Sequence, residues 1–159
     1  YFKGKCSLSN HNGFYSGKFI NCIFEDVNIF PNVLSNSDDL ILFDNCTINY
    51  SKNNLIYYYP FAYSKGTFTQ IKFINCSIVN KDNNFKSLIY AYAKPNGYCE
   101  FINCKIYIPE NLLVIDGYST NIEYITNYIC TFNNTPIHNS IILISDSLKN
   151  STGIKVLII

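Results

Sequence analysis

The chain has no methionine, no tryptophan and no arginine. Without arginine, all twelve basic side chains are lysine, and the planar fork that reads guanine or clamps phosphate bidentately is missing. Charged residues make up only 14% of the chain and the formal net charge is +1, which excludes an acidic or basic tail. Nucleic acid is therefore not an expected partner. No apolar run reaches the roughly 18 residues that cross a bilayer, so no membrane span is expected, and no signal peptide opens the chain. Tyr1 stands where an initiator methionine would, which points to a processed product or an excised fragment. What is abundant is apolar: 48% hydrophobic residues over 159 positions can bury a real core.

A six-residue phrase recurs. It reads Phe19-Ile-Asn-Cys-Ile-Phe24, Phe43-Asp-Asn-Cys-Thr-Ile48, Phe73-Ile-Asn-Cys-Ser-Ile78, Phe101-Ile-Asn-Cys-Lys-Ile106 and, degenerate, Phe132-Asn-Asn-Thr-Pro-Ile137. From Cys22 through Cys46, Cys76 and Cys104 to Thr135, the steps are 24, 30, 28 and 31 residues, as expected when each unit is one coil of a stacked array. The first slot is always Phe, the fourth Cys or Thr, and the sixth Phe or Ile, which marks them as inward. The second and fifth slots accept Ile, Asp, Asn, Thr, Ser, Lys and Pro, so they face out.

A plain strand alternates faces with period two, so slots one and four cannot both point inward unless the chain bends between them. Asn in the third slot supplies the bend, since its short amide lets it enter the left-handed region at modest cost. Stacking places Asn21, Asn45, Asn75, Asn103 and Asn134 in a column whose amides can bond from one coil to the next.

A second register follows each phrase. Leu55-Ile-Tyr-Tyr-Tyr59 aligns with Leu88-Ile-Tyr-Ala-Tyr92, and Leu112-Leu-Val-Ile115 and Ile141-Ile-Leu-Ile144 take the same place later. Turn-rich segments such as Asn80-Lys-Asp-Asn-Asn84 separate the registers, and Thr67-Phe-Thr-Gln-Ile71 reads as a return segment. Each coil thus holds a bent strand, a loop, a second strand and a return. The expected fold is all-β, a β-solenoid of about five coils forming a single domain over residues 1–159. Residues 1–16 form its N-terminal edge, 17–137 the repeat coils, and 138–159 the final coil and end strand. That last strand, Ile154-Lys-Val-Leu-Ile-Ile159, is too apolar for a free edge, and is expected to continue into further sequence or pair with another subunit.

The phrase resembles the coils of right-handed parallel β-helix proteins, the pectin-lyase-like superfamily, over roughly residues 17 to 137. The resemblance implies a right-handed parallel β-helix and a home on an extracellular surface or virion. It spans polysaccharide lyases and hydrolases, phage tail spikes and microbial adhesins, and fold alone does not choose among them. A surface glycan or host receptor is the implied partner, and a homo-oligomer, a trimer, is the implied assembly.

Cys22, Cys46, Cys76 and Cys104 recur once per coil with no CxxC pair, and only His11 and His138 could join them as imidazole ligands, so no metal and no cofactor is expected. Parallel Cα–Cβ vectors suit a disulfide dihedral poorly, and the column reads as buried thiols acting as small hydrophobes. Cys6, Cys99 and Cys130 lie outside the phrase, and Cys99 with Cys130 is the pair to test for a bridge.

Carboxylates are few. Pectate lyases of the superfamily use an aspartate cluster for calcium and an arginine base, and this chain has no arginine. The paired Asp and Gly-His-Gly run of polygalacturonases are also missing. Asp38 and Asp39 are the weak catalytic candidates beside their plainer reading as a loop that turns the chain. Tyrosine is more suggestive: the aligned strands set Tyr57 over Tyr90 and Tyr59 over Tyr92. If outward, this patch offers flat rings with hydroxyl rims to a sugar or a protein; otherwise it is an aromatic ladder. Of the Asn-x-Ser/Thr triplets, those at Asn45 and Asn75 are explained by the bend, and only Asn150 reads as a glycosylation acceptor.

Together these features favour a surface-exposed module that binds, without catalysis, a host or glycan surface. The alternatives are a fragment of a polysaccharide-degrading β-helix enzyme and a passive spacer.

Overall fold

The computed structural model describes residues 1–3, 17–27, 40–50, 56–58, 68–80, 88–92, 96–107, 113–116, 128–137, 142–144 and 154–159. Among them every regular element is a strand. In chain order these are β1 (Phe2–Lys3), β2 (Gly17–Ile20), β3 (Ile23–Glu25), β4 (Leu40–Asp44), β5 (Thr47–Tyr50), β6 (Ile56–Tyr58), β7 (Phe68–Ile74) and β8 (Ser77–Asn80). They continue with β9 (Ile89–Tyr92), β10 (Asn96–Ile102), β11 (Lys105–Tyr107), β12 (Leu113–Asp116), β13 (Tyr128–Asn133), β14 (Ile142–Ile144) and β15 (Ile154–Ile158).

The strands form three sheets, and every pairing is parallel. The first sheet has the order β15-β13-β10-β7-β4-β2, the second β1-β3-β5-β8-β11, and the third β14-β12-β9-β6. From β4 to β12 the chain visits first, second and third sheets in turn, three times over. Because parallel neighbours must be separated by a long connection, a repeat of about 30 residues is what such an order requires.

The recurrent phrase is not one bent strand. In each copy the first two residues end a strand of the first sheet, with Asn at the corner, and in the first four copies the last two begin a strand of the second; in the fifth, Pro136 and Ile137 begin none. The return segment is likewise not separate, since residues 68–71 run straight into the phrase as β7. At the corner φ is positive at each Asn, between 44° and 55°. That turn resets the alternation, so Phe73 and Cys76 are both buried although three residues apart.

Inward rows run across the sheets. Phe19, Phe43, Phe73, Phe101 and Phe132 are successive register partners in the first sheet. Their rings stack at 5.1, 4.8, 4.9 and 5.0 Å between centroids, the strand spacing imposed by the backbone. Each enclosed ring contributes roughly 1.5–3 kcal/mol by burial, and each stacked pair about 0.5–1.5 kcal/mol more. In the second sheet Phe24, Ile48, Ile78 and Ile106 form the matching row.

At the N-terminal end β1 lies beside β3, and Phe2 stacks on Phe24 at 5.0 Å and meets Phe19 edge-on at 6.0 Å. At the opposite end Ile158 is the register partner of Phe132, yet it is 72% exposed. No described helix is long and apolar enough to cross a membrane.

Candidate functional site

The Asn column is bonded through its side chains. Nδ2 of Asn45 donates to Oδ1 of Asn21 at 2.7 Å, Asn134 donates to Asn103 at 2.8 Å, and Asn103 donates to Asn75 at 3.5 Å. The backbone follows the same rungs, with the N–H of Asn45 on the carbonyl of Ile74 and that of Asn75 on the carbonyl of Ile102. A further left-handed residue, Asp26 at φ 53°, ends β3 and donates its N–H to the carbonyl of Asn49. Asp tolerates this conformation for the same reason as Asn, but among the described residues it is the one such corner outside the Asn column, and so it leaves no repeat in the sequence.

The sulfurs do more than fill space. Each Sγ–H in the column donates to backbone carbonyls: Cys46 to Phe19 and Asp44, Cys76 to Phe43 and Ile74, Cys104 to Phe73 and Ile102. At the next rung Thr135 takes the role. Its Oγ1 donates to the carbonyl of Asn133 and accepts the N–H of Cys104, both at 3.0 Å. A hydroxyl replaces a thiol there because the slot needs a small donor that can also accept.

Cys46, Cys76, Cys99, Cys104 and Cys130 are buried, Cys22 is half-buried, and all six are free thiols. Burial pushes the Cys46 thiol up to about 11. Side-chain hydrogen bonding to Cys104, together with burial, pushes Cys76 up, and burial pushes Cys99 up, reinforced by hydrogen bonding to Cys130. Cys99 and Cys130 are direct register partners, both facing inward. Cys6 lies outside the described residues. Among the described residues no three His, Cys, Asp or Glu side chains converge as a metal site.

Register in the third sheet pairs Tyr57 with Tyr90 and Tyr58 with Ala91, while Tyr92 pairs with Asp116. Tyr59, Asp38, Asp39 and Asn150 lie outside the described residues.

Three features escaped the sequence. Lys72 Nζ lies 3.1 Å from Glu100 Oε2 on the outward face of the first sheet, and the Tyr98 hydroxyl is 3.2 Å from Thr131 Oγ1. Both pairs depend on the register of the return segments, which share no phrase. The third is Tyr50, whose hydroxyl is enclosed without a hydrogen bond; it lies toward the Asn80 side chain and the Leu88 backbone, and neither approach meets bonding geometry. Burial raises its pKa, and the phenol stays neutral.

Comparison of the chain with protein-family models, curated proteins and solved structures finds no match.

Proposed function

We propose that the three sheets are the faces of a right-handed parallel β-helix, and that the chain is a non-catalytic attachment module on a virion or cell surface. The cyclic order of the sheets supports the helix, and the strong right-handed preference of parallel crossovers supports its hand. The observation that carries the binding reading is the in-register pair Tyr57 and Tyr90, with Tyr92 two residues further along the same strand. Tyrosine positions on adjacent parallel strands recur at strand spacing, a repeat that suits successive sugars, and a tyrosine carries both a flat apolar ring and a hydroxyl that can bond a sugar rim.

The test is retention on a glycan array and on host cells. Tyr90→Ala is expected to weaken binding at least several-fold while leaving the melting temperature nearly unchanged. Loss of stability without loss of binding would reduce the tyrosines to a ladder. Release of reducing sugar that disappears with Asp38→Asn or Asp39→Asn would instead establish the enzyme.

A further inference from the structure

The stacking that suits a disulfide poorly suits a different ligand. Ile74 pairs with Ile102 and Ser77 with Lys105, so the corner between them sets Cys76 beside Cys104 on the next rung, with both side chains buried. Their side chains interact directly, so no other group stands between the sulfurs. Parallel Cα–Cβ bonds hold such a pair at about the strand spacing of 4.8 Å. Zinc needs four ligands, and among the described residues no three acidic, imidazole or thiol groups converge. An ion with two ligands in a line asks only for two sulfurs that face the same way. With metal–thiolate bonds of about 2.3 Å it spans about 4.6 Å, close to the spacing the backbone imposes.

We propose that Cys76 and Cys104 bind one soft monovalent cation, copper(I), in a line between their sulfurs, and so clasp the third and fourth copies of the phrase. Thiolates favour copper(I), zinc and iron–sulfur clusters, and of these copper(I) is the one that accepts two ligands in a line. On binding, two S–H bonds break and two S–Cu bonds form. Both protons pass to solvent, and the copper keeps its oxidation state. The complex carries one negative charge, and backbone donors are in place to offset it: hydrogen bonding from the backbone of Cys46 favours the thiolate at Cys76, and that from Cys76 favours the thiolate at Cys104. The equivalent N–H one rung on, that of Cys104, meets Thr135 Oγ1 at 3.0 Å.

Cys99 and Cys130 are stacked in the same way, but the chemistry around them differs. Ile71 and Val156 flank them in the inward row, and every influence on the Cys99 thiol opposes the thiolate. The geometry alone therefore does not make a site; the backbone donors select Cys76 and Cys104. Because both sulfurs are enclosed, the ion enters as the chain folds, and its binding adds to the stability of the folded state. The site is independent of whatever the third sheet binds.

The test is to refold the chain from urea without oxygen, with copper(I) present, and then to wash it with a copper(I) chelator. The folded chain should keep about one copper ion and unfold at a higher urea concentration than the copper-free chain. X-ray absorption at the copper should show two sulfur neighbours and no third. Cys76→Thr and Cys104→Thr, which place in the slot the residue that Thr135 already supplies, should fold by circular dichroism and lose the copper, whereas Cys130→Val should keep it. The absorption spectrum of the unaltered chain decides the matter even where a variant does not fold. An unaltered chain that keeps no copper overturns the proposal. So does a copper ion with three sulfur neighbours, or copper that both Thr variants retain.

Discussion

Asn45 donates its side-chain amide to Asn21 at 2.7 Å, and both residues hold φ near +50°. The amide does two things at once: it makes the left-handed corner accessible and ties that corner to the adjacent rung. Removing it separates the two contributions. Asn75→Ala should cost about 1–2 kcal/mol, from strain at positive φ plus the lost bonds, whereas Asn75→Gly, which suffers no steric penalty, should cost less. Urea denaturation of the two variants decides it. Equal losses would mean that φ at Asn75 is not what sets the corner.

The thiol column makes a prediction through Thr135. Because a hydroxyl there makes the bonds that the sulfurs make elsewhere, Cys76→Thr should retain most of the stability. Cys76→Val, with the same shape and no donor, should lose roughly 0.5–1.5 kcal/mol more. Chemical denaturation of the isosteric pair measures the difference. No difference would return the thiols to the role of small hydrophobes.

Alkaline pH should weaken the fold. The Cys46 thiol rises from 9.0 to about 11 because burial disfavours the thiolate. Between these values the unfolded chain releases a proton that the folded chain keeps. The contribution to stability is therefore fully present below pH 9, falls as pH rises toward 11, and is flat beyond. Cys99, also raised by burial, acts in the same direction, whereas the hydrogen bond that raises Cys76 lowers Cys104, so that pair acts in opposite directions. Melting temperature followed across this range should fall, and Cys46→Thr should make the fall shallower. In parallel, a thiol reagent at neutral pH should label Cys46, Cys76 and Cys104 only after denaturation; rapid native labelling of Cys76 would contradict its burial.

The core was legible because it is written five times. One Phe-x-Asn-Cys-x-Ile would pass for an ordinary strand, but repetition shows which slots vary, and variation separates the inward Phe73 from the half-buried Ile74 beside it. The alignment of Leu55–Tyr59 with Leu88–Tyr92 was readable for the same reason, and residues 56–58 pair in that register. Features that occur once were not readable. Asp26 turns a single corner, and Lys72 meets Glu100 only because β7 and β10 align along strands whose first halves have no sequence in common. Asp38 and Asp39 belong to no repeated phrase, so the pattern lent them no support, and they lie outside the described residues.

Parallel, in-register stacking is the central claim, and isoleucine methyl groups report on it directly. Ile48, Ile78 and Ile106 are inward residues on three consecutive strands, with Ile78 in the middle. In a sample labelled at isoleucine methyls and assigned by single Ile→Val replacements, nuclear Overhauser spectra should connect Ile48 with Ile78 and Ile78 with Ile106. They should not connect Ile48 with Ile106, which stand two strand spacings, about 9.6 Å, apart. A missing Ile48–Ile78 contact, or a direct Ile48–Ile106 contact, would contradict the stack.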